Sequence, residues 1–372
     1  MVTEYADIMR RVHQYNPASY GRTRNFVDGN VSRLSPFISR GVTSTRAVLE
    51  SCVNRGFSLE ANEKFFQELA WRDYWQQIWI EKGGLIDQDL THKQETVSEW
   101  MPANACIAKT GITGVDRGIL ELYKTGYMHN HVRMYTASIL TNVAKTDWKI
   151  PAKWMYYYLL DADWGSNALS WQWVAATSRA KKYYANQDNI NAFCRTDDRD
   201  TFLDHTYPHI ARMDVPNVLK ERIEIELITV LPETGVPVLD RAKSTAVYTM
   251  YNLDPKWREH EELNRVLFFP REHFKEFPVC SNTIDFISRL AQNIDGIQMY
   301  AGEMHELRSN YPEMKFIMKE HPFYSMHADQ VDDREWIVPN ARAKGSFFSY
   351  WKQVKAGLKE AFSEGGFEHR MD

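Results

Sequence analysis

A chain of 372 residues is long enough for two domains and a sizeable core, and 44% hydrophobic with 25% charged residues excludes a disordered or fibrous protein. No apolar run approaches membrane-spanning length, residues 1–16 are charged rather than leader-like, and Cys52, Cys106, Cys194 and Cys280 follow no disulfide or metal-ligand spacing, so a cytoplasmic protein with no membrane partner and no metal is expected. The net charge of -4 divides into +2 over residues 1–220 and -6 over residues 221–372, so a nucleic-acid partner needs a local basic groove, for which Arg22, Arg24, Arg33, Arg40, Arg179, Lys181 and Lys182 are candidates.

From Tyr5 to about Lys220 the pattern is helical, with turn signals between segments. Residues 62–82 predict one helix, with Phe65, Leu69 and Ile78 as its core stripe and Glu68, Arg72 and Trp75 on a neighbouring face. Residues 115–123 and 128–144 predict two more. On the second of these, Asn130, Arg133, Met134 and Ala137 fall at i, i+3, i+4 and i+7, so an amide, a guanidinium and a thioether share one face with a small residue. Such a face suits the wall of a site. Residues 161–173 add Asp161, Asp163, Asn167 and the indoles Trp164, Trp171 and Trp173, a poor apolar core because each carboxylate needs a partner once buried. Nine of the twelve tryptophans lie between Trp71 and Trp173, and packing alone accounts for several. After the proline-marked residues 231–237 the pattern changes: residues 246–251, 265–269, 296–300 and 315–319 predict strands, with a helix over residues 282–293, which together make a small α/β module.

Four motifs, Val31-Ser32-Arg33-Leu34-Ser35-Pro36, Glu68-Leu69-Ala70-Trp71-Arg72, Thr110-Gly111 with Val115-Asp116, and Met128-His129-Asn130, followed by the acidic and tryptophan-rich residues 161–173, resemble in order and spacing the flavin-binding domain of the DNA photolyase/cryptochrome family. The resemblance spans roughly residues 20–190. It implies a mainly α protein: an all-helical FAD-binding and lesion-binding domain over residues 1–220, a linker over 221–242 and a small α/β module of unassigned role over 243–372. In typical photolyases an α/β antenna-binding domain stands in front of the flavin domain; here the α/β module follows it, so an antenna chromophore is left unassigned.

The family's cofactor positions, carried over residue by residue, are Tyr20, Val31, Ser32, Leu34, Ser35, Arg72, Asn130, Arg133, Asp161, Asp163 and Asn167, with Arg133 and Asp161 paired beside the flavin ring and Asn167 facing its N5. Read by themselves, the serines before Pro36 are a helix N-cap and the charged pairs are structural ion pairs. Arg24, Glu68, Trp71, Asn130, Met134 and Trp173 match positions lining a pocket for a flipped pyrimidine dimer, where indoles stack on bases and a carboxyl and an amide meet their polar edges. Ordinary helix packing is the alternative for either indole alone. Asn130, where six-four photolyases place His, goes with cyclobutane dimers. Trp148 and Trp171 match the inner members of the family's tryptophan chain, Trp100, Trp79 or a tyrosine being left for the outer one, and His131 stands where Arg is common.

Glu68, Asn130, Trp148 and Trp171 are thus the expected catalytic residues of a light-driven, FAD-dependent photolyase acting on cyclobutane dimers, read as a monomer whose partner is UV-damaged DNA. The rivals are a cryptochrome-like blue-light photoreceptor without repair and a DNA-binding protein without light chemistry.

Overall fold

Local sequence signals account for the helices of the first half. Tyr5–Gln14 (α1), Tyr20–Thr23 (α2), Ser35–Ser39 (α3) and Thr45–Asn54 (α4) lead into Glu63–Lys82 (α5). Ser44 caps α4 by accepting from the Ala47 amide, and α5 stops at Gly83, whose φ of 55° favours a residue without Cβ. Ala103–Cys106 (α6), Thr113–Thr125 (α7), Asn130–Ala137 (α8), Lys149–Tyr158 (α9), Trp164–Ala175 (α10), Gln187–Cys194 (α11) and Tyr207–Ile210 (α12) follow. The helix expected over residues 128–144 begins at Asn130, after a His129 cap, and widens into a π-helix over Ser138–Val143. There the Thr141 hydroxyl donates to the Ala137 carbonyl at 2.7 Å, taking up a group of the wider turn, and the Asn142 amide donates across to the Val174 carbonyl near the end of α10.

The computed structural model describes residues 1–96, 98–324 and 327–363; the last nine positions of the expected 243–372 module lie outside them. Met101–Pro102 (β1) pairs antiparallel with Arg222–Ile223 (β2). Thr245–Tyr248 (β3), Asn264–Pro270 (β4), Ile297–Gly302 (β5), Phe316–Lys319 (β6) and Gln330–Asp332 (β7) form a parallel sheet in the order β5-β4-β3-β6-β7, with Val247 opposite both Val266 and Met318. Arg271–Glu276 (α13), Ser281–Ala291 (α14), Met304–Asn310 (α15) and Phe347–Ser363 (α16) complete the described elements. β3 is buried along its whole length, as a central strand covered on both faces requires. Among the described residues no helix is long and apolar enough to cross a membrane.

The expected fold class, a mainly α protein with an all-helical domain and a small α/β module behind it, is corrected. The molecule is 45% helical with a five-stranded parallel sheet, an α/β arrangement. Periodicity reports which face of an element is apolar and not what that face meets, and the sheet half is bonded to the helical half along its length. The Tyr5 amide donates to Asn293 Oδ1 and Asn293 Nδ2 returns a bond to the Thr3 carbonyl, both at 2.8 Å. Cys280 donates to the Tyr157 carbonyl and Leu253 to the Arg40 carbonyl. Residues 334–363 return along α5, where Trp351 and Lys355 bond Glu63 and the Tyr74 hydroxyl donates to the Gly345 carbonyl.

Arg40 does not serve a basic groove. It is 0% exposed and donates to three carbonyls, Leu160, Ala162 and Met250, so its guanidinium ties α10's approach to the turn after β3.

Asp73 of α5 closes the same seam on the other side, accepting from the Thr45 hydroxyl and the Ile337 amide. Burial outweighs those bonds and pushes its carboxyl up to about 6 from 3.8. A raised carboxyl pKa means the folded state holds the proton more tightly than the unfolded one, so this group lowers stability progressively as pH rises from about 4 to 6. At 1.36 kcal/mol per unit the loss is roughly 3 kcal/mol. Asp73→Asn, uncharged throughout, is expected to flatten the stability profile by about that amount; urea unfolding of parent and variant from about pH 4 to pH 7 checks it, and parallel profiles refute it.

Candidate functional site

A cavity of about 580 Å³ opens among α2, α5, α8 and α10, within the size range of cofactor sites. α5 contributes Glu68, Trp71, Arg72 and Trp75 from successive turns of one face, α8 contributes Asn130, His131, Arg133 and Met134, and α10 contributes Asn167, Trp171 and Trp173. Close approach of α10 to α5 requires Gly165, where an added Cβ would stand 2.7 Å from the Trp79 ring. From the segment before α3 come Val31, Ser32 and Ser35, and around it Tyr20, Arg24, Asp161 and Asp163.

Two buried ion pairs set the electrostatics. Arg133 Nη2 lies 3.0 Å from Asp161 Oδ2 while its Nε donates to the Met128 carbonyl, which fixes the guanidinium plane. Burial pushes the Asp161 carboxyl up, but Arg133, Ser35 and Arg72 outweigh it and hold the group below the ordinary carboxylate value. Its other oxygen, Oδ1, is buried without a partner among the described residues. Arg72 lies 3.2 Å from Asp163, which also accepts from Gln76 Nε2 and, as the N-cap of α10, from the Ser166 amide at 2.7 Å. Asn167 Nδ2 donates to the Ala152 carbonyl at 2.9 Å, which anchors its amide.

Toward the mouth, Arg24 bonds Glu68 directly. Burial nevertheless pushes the Glu68 carboxyl up against the pull of Arg24. Trp71 stacks on Phe347 of α16, centroids 3.7 Å apart and planes 8° apart, and Arg179 lies 3.8 Å over the Trp173 ring, so both indoles are held on one face by neighbours. His129 and His131 are both pushed down to about 4, mainly by burial, with Arg133 and Arg33 beside the first and His129 and Arg24 beside the second. Position 131 therefore adds no charge to the wall near neutral pH.

Two expected residues stand apart from the cavity wall. Leu34 is 1% exposed and packs in the core, its amide taken by Ser32 Oγ. Trp148 is fully buried at the start of α9, where its indole nitrogen donates to Asp89 at 2.8 Å. Of the outer candidates, Trp79 packs on His321 and Phe323 toward the sheet, and Trp100 is 53% exposed.

Sequence reading missed Gln76, although it lies four residues beyond Arg72 on the same helical face, and its bond to Asp163 follows from that spacing. It also missed Tyr127, on which Arg33, a basic-groove candidate held at φ 53°, stacks at the cavity edge, and the cap His129, whose Nε2 has no partner among the described residues. No periodic signal marks these, because loops place them.

The site fits a flavin. Asp161 Oδ1 and Ser166 Oγ are buried polar atoms lacking partners among the described residues, beside donors and an apolar wall, and buried polar groups of that kind call for a ligand with hydrogen-bonding edges.

Comparison with known proteins agrees. Residues 65–230 match the sequence model described as the FAD binding domain of DNA photolyase. A deoxyribodipyrimidine photo-lyase of Alkalihalophilus pseudofirmus is 29% identical over 204 residues, 52% of this chain and 42% of that protein. One of Vibrio cholerae is 32% identical over 176 residues, 42% of this chain and 36% of that protein, and a cryptochrome DASH of Xenopus laevis is 31% identical over 172 residues, 42% and 32%. The chain thus spans less than half the length of these relatives. Arg72, Arg133, Asp161 and Asp163 gather on one cavity inside the matched region, so residues 65–230 are similar to the FAD binding domain of DNA photolyase where the chain places its cofactor cavity.

Proposed function

We propose that the protein is a light-driven, FAD-dependent photolyase that repairs cyclobutane pyrimidine dimers in UV-damaged DNA, working as a cytoplasmic monomer with residues 1–220 as the repair unit, 221–242 as a linker and 243–372 as the sheet-bearing remainder. The observation that carries this reading is that Glu68, Trp71, Asn130, Met134 and Trp173 line the same cavity as the Arg72–Asp163 and Arg133–Asp161 pairs. A photoreceptor has no need of a base-sized polar pocket beside its cofactor.

Tyr20, Val31, Ser32, Ser35 and Asn167 would hold FAD together with those two pairs, while Leu34 supports this segment from the core. When bound, FAD supplies the light-driven electron chemistry. The chain's own residues bind and orient. Trp71 and Trp173, each braced on one face, offer flat apolar walls to a flipped pyrimidine dimer. Glu68, whose carboxyl burial pushes up against the pull of Arg24, would hydrogen-bond the dimer where charge develops, while Asn130 meets the imino edge. Arg24, released from Glu68 by the incoming lesion, stays at the mouth for backbone phosphate. Trp171, in the wall, and Trp148, buried at the start of α9, are the oxidisable indoles of this reading.

The test is blue-light repair by reduced, FAD-loaded protein on oligonucleotides carrying a cyclobutane dimer or a six-four product, single- and double-stranded. Repair of the cyclobutane dimer alone is expected. Glu68→Ala removes a hydrogen bond to developing charge, worth about 1.5–3 kcal/mol, and should lower repair by at least about tenfold with FAD content unchanged. Repair of only the six-four lesion overturns the substrate, and repair of neither turns the reading to a photoreceptor, for which the similarity to a cryptochrome DASH speaks.

A further inference from the structure

The parallel sheet has a switch in its order. From β3 the chain moves to β4 and β5 on one side, then crosses back to place β6 and β7 on the other. Crossovers leave in opposite directions from β3 and β6, so a crevice opens beyond the carboxyl ends of those two strands, the position at which open parallel sheets bind ligands. A cavity of about 120 Å³ lies there, bounded by Asn252 and Asp254 after β3, Lys319 at the end of β6, and Arg334 and Trp336 on the returning segment. Nothing in the proposed repair chemistry uses it.

Its wall is polar and incompletely satisfied. Asn252 is 4% exposed, and both its Oδ1 and its Nδ2 are buried without a partner among the described residues. The Thr43 hydroxyl and Arg334 Nη2 are in the same condition. Leaving such groups unpaired costs about 1–3 kcal/mol each, so an occupant that pairs them is favoured.

The charges say what that occupant is not. Each cation on the wall already has a carboxylate: Arg72 has Asp163 at 3.2 Å, Lys319 has Asp254 at 3.5 Å, and Arg334 Nε has Glu320 at 2.5 Å. Residues 249–253, which follow β3, contain no glycine, so no run of backbone amides cradles a phosphate there. Two more carboxylates on the wall, Asp73 and Glu335, accept from Thr45, the Ile337 amide and Ser44, which disfavours an anion further. What remains to be met is a donor for Asn252 Oδ1, and acceptors for Asn252 Nδ2 and Arg334 Nη2. A primary amide presents its donor and acceptor side by side, so its complement is another amide edge. The volume limits the molecule to one ring, since a cavity of about 150 Å³ holds a benzene; a fused-ring chromophore is too large. Trp336 supplies an aromatic surface for that ring.

We propose that this switch-point cavity is a binding site, separate from the FAD cavity, for a small neutral single-ring molecule with an amide edge, recognised through the Asn252 amide. Ile38, Arg72 and Asp163 line both cavities, so the site shares a wall with the cofactor's.

Titration of the full FAD-loaded chain with uracil and with nicotinamide, followed by calorimetry and by the amide signals of Asn252, tests it, with benzene as the apolar single-ring control. One-site, saturable binding of uracil or nicotinamide is expected, without binding of benzene. Asn252→Leu should weaken it by at least about tenfold, the loss of one well-made buried polar contact, while FAD content stays as in the parent. If that variant does not fold, Thr43→Val, which removes a hydroxyl from the same wall, should weaken binding several-fold. A cavity that takes neither amide probe, binds benzene as well, or keeps its affinity in the variant that folds overturns the proposal. Because FAD content and dimer repair are read separately, failure here leaves the repair reading intact.

Discussion

Arg40→Leu is expected to cost roughly 3–5 kcal/mol of unfolding free energy, the largest single effect among substitutions remote from the cofactor cavity. Arg40 is a long cation with no exposed surface, and its three donated bonds run to the carbonyls of Leu160, Ala162 and Met250 at 2.9–3.1 Å. Leucine fills part of the volume but leaves three buried carbonyls unpaired, each costing about 1–3 kcal/mol before any relaxation. Two of those carbonyls flank Asp161, and the third lies in the turn after β3, so the bonds tie the cofactor wall to the sheet. Gly41, next in sequence, is held at φ 65° with the Tyr251 carbonyl 2.4 Å from where a Cβ would stand, so the backbone has little room to adjust. Arg40→Lys keeps the charge but offers one ammonium in place of a fork and should fall between parent and Leu. Urea unfolding of all three reads the effect; a loss below about 1 kcal/mol for Leu would show that the seam does not depend on this residue.

Arg133→Leu is expected to remove most bound FAD and to destabilise the chain by about 3–5 kcal/mol, because it leaves the Asp161 carboxylate buried beside a second, already unpartnered oxygen. Adding Asp161→Asn should restore much of the stability without restoring the flavin, since the double variant carries no stranded charge but lacks the pair that meets the ring edge. The parent's pH profile carries the same signature. Asp161 titrates below its ordinary value of 3.8, so its stabilising contribution is complete above that value and disappears as pH falls through the lower folded value. Acid unfolding monitored below about pH 4 should therefore be steeper in the parent than in the double variant. Equal acid profiles, or a double variant no more stable than Arg133→Leu, would mean that the pair contributes nothing.

Residues on one helix face were legible from spacing. Glu68 and Arg72, four apart, and Asn130, Arg133 and Met134 face the cavity because 3.6 residues per turn allows no other arrangement once those helices form. The strands at Thr245–Tyr248, Asn264–Pro270, Ile297–Gly302 and Phe316–Lys319 were legible for a related reason, being apolar runs that both-sided burial demands. The short β7 and the helix α16 were not, since Gln330–Asp332 is polar at a sheet edge and α16 carries no distinguishing motif.

What local sequence left open is how separate elements close on each other. Arg40 reads as a surface cation and proves fully buried, because its partners are carbonyls 120 and 210 residues away. Phe347 has no visible link to Trp71, yet the two rings stack across 276 positions of sequence. The fold class itself turned on such contacts. Amphipathic periodicity, motif order and buried pairing needs belong to the chain by itself, since they follow from helix and strand geometry at short range. The α/β arrangement, the bracing of the lesion-side indoles and the unpaired Asn252 at the sheet switch were decided by tertiary structure alone, since each depends on which distant backbone the folded chain brings within hydrogen-bond or stacking distance.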